Sequence, residues 1–168
     1  MTVDPKPMPS AAARKIRLFV SYDRNHDEDL HDLLAEQASR TSAGFEISAR
    51  SRPPSSSDLQ EESLRRAIRQ ADEVVFLCGE HTEECESVGT ELTIAREEER
   101  PYLLLWGRRD LMCTKPSTAK PADSMYSWTW EILQRQVQTV RRLANRTHEM
   151  AELRKAKGTP KIDGSGTP

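Results

Sequence analysis

The chain has 168 residues, room for about one domain with a substantial core, since domains commonly run roughly 100–200 residues. Its net charge of −2, with Lys and Arg interspersed among Asp and Glu, excludes the basic footprint of a nucleic-acid binder. A charged fraction of 31% and an aromatic fraction of 5% would suit a disordered chain, but the apolar residues are gathered into short runs separated by turn signals, which is the pattern of a folded centre.

Cys78, Cys85 and Cys113 are widely spaced and form no CxxC pair or Cys/His ligand spacing, so neither a disulfide framework nor a zinc site is expected and a reducing compartment is implied. Met1 to Ala13 lacks the apolar core of a signal peptide, and no apolar stretch approaches the roughly 20 residues of a membrane span. A cytoplasmic protein with no membrane partner is expected.

Residues 1–14, with three prolines, and 151–168, rich in Gly, Pro and Lys, read as flexible tails around a domain at 15–150. Within the domain, Arg17 to Asp23 (RLFVSYD) is a short apolar run turning abruptly polar, a buried strand ending in a loop. Asn25 and Glu28 form a candidate capping pair for a helix carrying Leu30, Leu33, Leu34 and Ala38. Phe45 to Ser51 (FEISARS) alternates apolar and polar residues after Gly44, a second strand nearer the sheet edge. Ser57 and Gln60 offer a capping box for a helix lined by Leu64, Ala67, Ile68 and Ala71.

Glu73 to Gly79 (EVVFLCG) is the most apolar run and reads as a central strand. Thr82 is the expected cap of a third helix with Glu83 and Glu84 in its first turn and Cys85, Val88, Leu92 and Ala95 on its buried side. After Pro101, Tyr102 to Gly107 (YLLLWG) gives a fourth strand. A loop with Pro116 and Pro121 leads to Ser127 and a long helix marked by Trp130, Leu133, Val137 and Val140, with no convincing fifth strand between.

Strands alternating with helices require right-handed crossovers, hence an α/β fold with a parallel sheet of four to five strands and helices on both faces. Ligands settle outside the carboxyl ends of such strands, where the winding reverses. That places Ser21 to Asn25 (with Tyr22 and Asp23), Arg50 to Ser51, Gly79 to Thr82 and Gly107 to Asp110 where a ligand would sit.

Phosphate-binding GxGxxG and GxxxxGK[ST] signatures are missing, as are GxSxG and HExxH, and the four histidines share no ligand spacing. What stands out is Gly79 to Glu91 (GEHTEECESVGTE), a strand end followed by a carboxylate-rich helix. Ser87 and Glu91 are four apart and share a face, and Glu91 borders the stripe of Val88 and Leu92, where a carboxylate is partly desolvated. A solvated glutamate on an acidic helix fits the same periodicity, so spacing leaves both readings open. Arg50 and Arg52 can pair with phosphates or stand exposed at a strand end. Trp128 and Trp130 read as packing residues.

The order FVSYD, a strand ending in ARS, VVFLCG followed by SVGTEL, and a late SWTWE segment resembles the TIR-like proteins of the Thoeris antiviral system, the ThsB group, over about residues 15–142. The resemblance implies a flavodoxin-like, TIR-like fold and a catalytic glutamate at the position of Glu91. It implies an enzyme of NAD glycohydrolase or ADP-ribosyl cyclase type that consumes NAD as substrate, without a metal or other cofactor, and makes a cyclic or conjugated ADP-ribose signal that reaches a downstream effector in antiphage defence. Substrate contacts would come from Ser21, Tyr22, Asp23, Arg50, Ser51, Gly79, Thr82 and Ser87, with amides near Thr82 holding the diphosphate; many TIR domains carry an aromatic or aspartate where this chain has Ala49 to Ser51. Self-association into a homo-oligomer is a further expectation. Two other readings remain, a non-catalytic TIR-like interaction module and a nucleoside deoxyribosyltransferase-like enzyme.

Overall fold

The computed structural model describes residues 14–53 and 57–158. In chain order the elements are β1 (Ile16–Tyr22), α1 (Glu28–Ala38), β2 (Phe45–Arg50), α2 (Asp58–Gln70), β3 (Glu73–Cys78), α3 (Glu86–Glu97), β4 (Tyr102–Trp106), β5 (Met125–Ser127) and α4 (Trp130–Lys157). The five strands form one sheet in the order β2-β1-β3-β4-β5, and every pairing is parallel. This is the expected α/β flavodoxin-like, TIR-like architecture, with the winding reversed between β1 and β3. β5 pairs with β4 from Leu104/Met125 to Trp106/Ser127, within a stretch expected to be loop. Three residues carry too little pattern to announce a strand.

Each face of the sheet has its own core, as a parallel sheet covered on both sides requires. On one face, Leu18, Val20, Tyr22, Val75, Leu77, Leu103 and Leu105 meet Leu30 and Leu34 of α1 and Leu133, Val137 and Val140 of α4. On the other, Phe19, Val74, Phe76, Cys78 and Leu104 meet Ile68 of α2 and Val88, Leu92 and Ala95 of α3. Each fully buried side chain of this size stabilises the fold by about 1.5–3 kcal/mol relative to exposure. Leu33, expected in the α1 stripe, is 44% exposed. Trp128 and Trp130 pack against the first core as expected, Trp128 donating its indole N–H to Gln37.

Two of the expected caps shift. Ser57 Oγ does accept from the Gln60 amide, but α1 begins after Asp27 without a side-chain cap, and Asn25 N–H donates to Asp23 Oδ1. Thr82 opens only a single 3-10 turn, Thr82–Glu84, and α3 starts four residues later. The reason is local: Thr82 Oγ1 is taken by the Gly79 amide, folding the chain back beneath β3. α4 runs on through Lys157, so 151–157 are helical where the sequence suggested the start of a tail, and residues 1–13 and 159–168 lie outside the described residues.

Within β2 the register against β1 shifts by one residue. Leu18 pairs with Ile47, but Phe19 pairs with Ala49, leaving Ser48 as the extra residue, its Oγ donating to the Leu18 carbonyl. Because side chains alternate faces along a strand, one inserted residue exchanges the faces of everything after it. Phe45 and Ile47 therefore pack with the α1/α4 core, whereas Ala49 packs with the α2/α3 core.

Glu73, at the start of β3, is buried, and its Oε1 accepts from Gln136 of α4 at 2.7 Å. Burial raises its pKa to about 7, above the ordinary glutamate value. A carboxyl group whose folded pKa is raised adds stability below its unfolded pKa and loses it as pH climbs through the folded value. Urea midpoints are expected to fall between about pH 5 and pH 8, and Glu73→Gln to recover on the order of 2 kcal/mol at pH 8 while changing little at pH 5. An unchanged pH dependence in the variant would contradict this assignment.

Candidate functional site

Two serines, one on β1 and one just past β2, converge on one carboxylate. Glu91 on α3 is 1% exposed, and its Oε2 accepts from Ser21 Oγ on β1 and from Ser51 Oγ just past β2, the latter at 2.6 Å. Ser51 Oγ in turn accepts from the backbone N–H of Tyr22 at 2.9 Å, so its one proton is committed to Glu91. Both serines are themselves buried.

The fold places each of them for a definable reason. Ser21 follows Phe19 on the β1 face that meets α3, and Val88, Leu92 and Ala95 seat α3 against that face. Ser51 reaches it only because the extra residue at Ser48 has turned Ala49 and Ser51 toward α3.

Burial pushes the Glu91 carboxyl up to about 7; the donors Ser21 and Ser51, the Arg52 backbone and the Arg52 charge restrain the rise by favouring the carboxylate. A carboxyl group balanced near neutrality at a cleft is the arrangement that acid–base and charge-stabilising chemistry uses.

The cleft is present. Arg52 and Pro53, residues Gln60, Glu61, Ser63 and Leu64 of α2, and Glu86, Ser87, Thr90 and Glu91 of α3 line a space of about 940 Å³ at the carboxyl ends of β1 and β2. Such a volume falls in the range of small-molecule sites. Ser87, one turn before Glu91, shares this wall as its spacing indicated; its Oγ lies 3.3 Å from Cys85 Sγ.

Other residues picked from the sequence lie elsewhere. The Arg50 guanidinium crosses to the α1 side, donating to Glu28 Oε1 at 2.8 Å and reaching the Tyr22 hydroxyl, which itself donates to Glu28 Oε2. The Tyr22 phenol is pushed up to about 12 by burial and by Glu28. Asp23 holds its own loop, accepting from Asn25 N–H and pairing with His26 Nδ1 at 2.7 Å.

Gly79 and Thr82 bind one another, and the space a Gly79 side chain would need is filled by the Asp27 carboxylate. The rim between β1 and β3 is thus occupied by protein. The turn amides expected to hold a diphosphate are engaged as well: Glu83 N–H donates to Thr114 Oγ1, Glu84 N–H to the His81 carbonyl and Cys85 N–H to the Thr82 carbonyl.

Arg52 takes the position the sequence reading gave to Arg50. It stands beside Glu91, donates to Ser63 Oγ at 2.6 Å and is the cation among the described residues lining the cleft. Plain alternation along FEISARS hides this: the bulge at Ser48 turns Arg50 to the α1 side, and Arg52 lies beyond the end of β2, where alternation no longer sets the face.

A second hollow, of about 370 Å³, lies at the carboxyl end of β4 among Leu33, Gln37, Trp106, Arg109 and Trp128 and shares no residue with the first. Among the described residues, no helix is long and apolar enough to cross a membrane.

Removing either serine donor leaves the Glu91 charge less supported. Ser21→Ala and Ser51→Ala are each expected to raise the Glu91 pKa further above 7, read from its side-chain carboxyl resonance in a ¹³C-labelled sample titrated with acid. An unchanged or lowered midpoint in both variants would show that the serines do not support the carboxylate.

No curated protein matches this chain. Among solved structures, that of a 3-dehydroquinate dehydratase-like protein from Bifidobacterium longum is similar over 78% of this chain and 98% of its own, at 15% identity and a TM-score of 0.38. The family model described as Thoeris protein ThsB, TIR-like domain, matches residues 19–109, from Phe19 on β1 to the loop after β4, and so takes in Ser21, Ser51 and Glu91. With more than half its length matched, the chain belongs to the Thoeris ThsB TIR-like domain family.

Proposed function

We propose that this chain is an NAD-consuming enzyme of antiphage defence, cleaving the bond between nicotinamide and ribose and passing the ADP-ribosyl group to an internal or added acceptor to make a cyclic or conjugated ADP-ribose signal. The observation that carries this reading is the buried Glu91 carboxyl, held by Ser21 and Ser51 at the wall of an open cleft. Family membership supplies the defence context.

In the reaction the C1′–N1 bond breaks and its electron pair leaves with nicotinamide, which departs neutral. The positive charge passes to the ribosyl carbon and ring oxygen, an oxocarbenium-like state. An anionic Glu91 beside that ribose stabilises the developing charge, and its low-dielectric surroundings strengthen the attraction. Because Oε2 is tied by two serines, the carboxylate is oriented in advance. The acceptor then bonds to C1′ and gives up its proton; a hydroxyl or ring nitrogen of the ADP-ribose itself yields a cyclic product.

Arg52 is the group suited to the diphosphate, offering a planar fork to phosphate oxygens. Glu61 and Glu86, on the same walls, suit the cationic nicotinamide end of the substrate better than its phosphates. NAD carries one positive ring and two phosphates, and the cleft offers charges of both signs.

Incubating the purified protein with NAD, alone and with lysate from phage-infected cells, and measuring released nicotinamide tests the reading. Glu91→Gln is expected to lower the rate by at least about 10²-fold, as loss of an electrostatic stabiliser does. Equal release from wild type and variant would remove Glu91 from the mechanism, and absence of release under every condition would contradict the enzyme reading. Since the carboxylate is the working form and the carboxyl titrates at about 7, kcat/KM is expected to fall with unit slope as pH drops below about 7. Arg52→Ala is expected to raise KM for NAD by roughly tenfold with kcat little changed, the signature of a lost phosphate contact; a fall in kcat alone would place Arg52 elsewhere.

A further inference from the structure

On the opposite face of the sheet from Glu91, the start of α1 gathers Glu28, His31 and Asp32. Positions i, i+3 and i+4 share one face of a helix. One ligand-type atom from each of the three lies within 4.8 Å of the others. The histidines share no spacing with one another, but His31 stands at ligand spacing from two carboxylates.

His31 is the telling member. It is only 9% exposed, yet among the described residues neither of its ring nitrogens has a hydrogen-bond partner. Nδ1 comes to 3.6 Å from Asp32 Oδ1, too far for a hydrogen bond. A buried imidazole normally satisfies at least one nitrogen, and an orphaned one calls for a partner such as an ion. The ring is not free to turn away, being stacked on Tyr22 at 5.1 Å between centroids.

We propose that Glu28, His31 and Asp32 bind a zinc-like divalent cation. An imidazole beside two carboxylates is a donor set for zinc and its neighbours, whereas magnesium and calcium favour oxygen alone. Three protein ligands leave a tetrahedral position for water. Metal–ligand lengths of about 2.0–2.1 Å put adjacent tetrahedral ligands roughly 3.4 Å apart, so the group must draw in by about an ångström. Asp32, with its side chain 74% exposed, can supply that movement and gives the ion its path from solvent.

Glu28 is held in place by donors that leave it room to ligate. Its Oε2 accepts from the Tyr22 hydroxyl and its Oε1 from Arg50, each at 2.8 Å, and each carboxylate oxygen has a second lone pair. Arg50 also offsets the charge of Glu28. The Tyr22 and Arg50 contacts correspond to the positioned outer partners that ligating carboxylates use elsewhere.

The test is calorimetric titration of the EDTA-treated, dialysed full-length chain with zinc chloride, and separately with magnesium chloride, in a Cys85→Ser background that removes the half-exposed thiol. One equivalent of zinc is expected to bind, with affinity at least tenfold weaker in Asp32→Asn and in His31→Ala, and with no binding of magnesium. His31→Ala empties a buried position and requires a check of its folding by circular dichroism; Asp32→Asn alters an exposed side chain and serves as the variant whose fold is not in question. Absence of zinc binding, or equal zinc binding by the parent and Asp32→Asn, would overturn the proposal.

Discussion

One buried carboxylate organises this molecule. Taking the Glu91 charge out of water is costly unless donors replace the solvent, and two serine hydroxyls from adjacent strands do so on a single oxygen. Neither serine is free to serve another partner: Ser51 also receives the Tyr22 amide, and Ser21 lies wholly inside the protein. The consequence is a carboxyl group poised near neutral pH, fixed in orientation, and placed against a cleft. Those three properties are what a transition state with positive charge on a sugar ring requires.

The arrangement depends on a departure from regular sheet geometry. If β2 paired with β1 in a single register, Phe45, Ile47, Ala49 and Ser51 would share a face, and Ser51 would look toward α1. The register shift after Leu18/Ile47 sends Phe45 and Ile47 to one core and Ala49 to the other. That shift delivers Ser51 to Glu91 and Arg50 to Glu28, while Arg52 reaches the cleft from beyond the strand's end. Bulges recur beside functional sites because they re-aim side chains in this way.

Much of this was legible in the sequence. The apolar runs at 17–23, 73–79 and 102–107 are strands because continuous burial on both faces needs continuous hydrophobicity, and helical spacing correctly gave Val88 and Leu92 as the inner stripe of α3 with Glu91 beside them. Ser21, Ser51 and Glu91 each stand out in the sequence, but the bonds among them do not, since contacts across 70 and 40 residues leave no local mark. The turning of Arg50 toward Glu28 is hidden because a bulge has no signature in FEISARS, and Arg52 lies past the strand, where alternation no longer sets the face. Thr82 failed as a helix cap because its hydroxyl goes to Gly79, a choice made by the tight turn after β3. Gly79 and Asp23, well placed at a strand end, serve the packing of the loops there instead of the cleft. β5 was too short to be read at all.

A crystal structure of the Glu91→Gln protein with NAD bound is the most direct measurement. The result expected is the nicotinamide ribose lying against residue 91 between α2 and α3, with the diphosphate on Arg52. NAD bound on the α1 face of the sheet, or in the hollow beside Trp106 and Trp128, would contradict the assignment of Glu91 as the group that meets the reacting sugar.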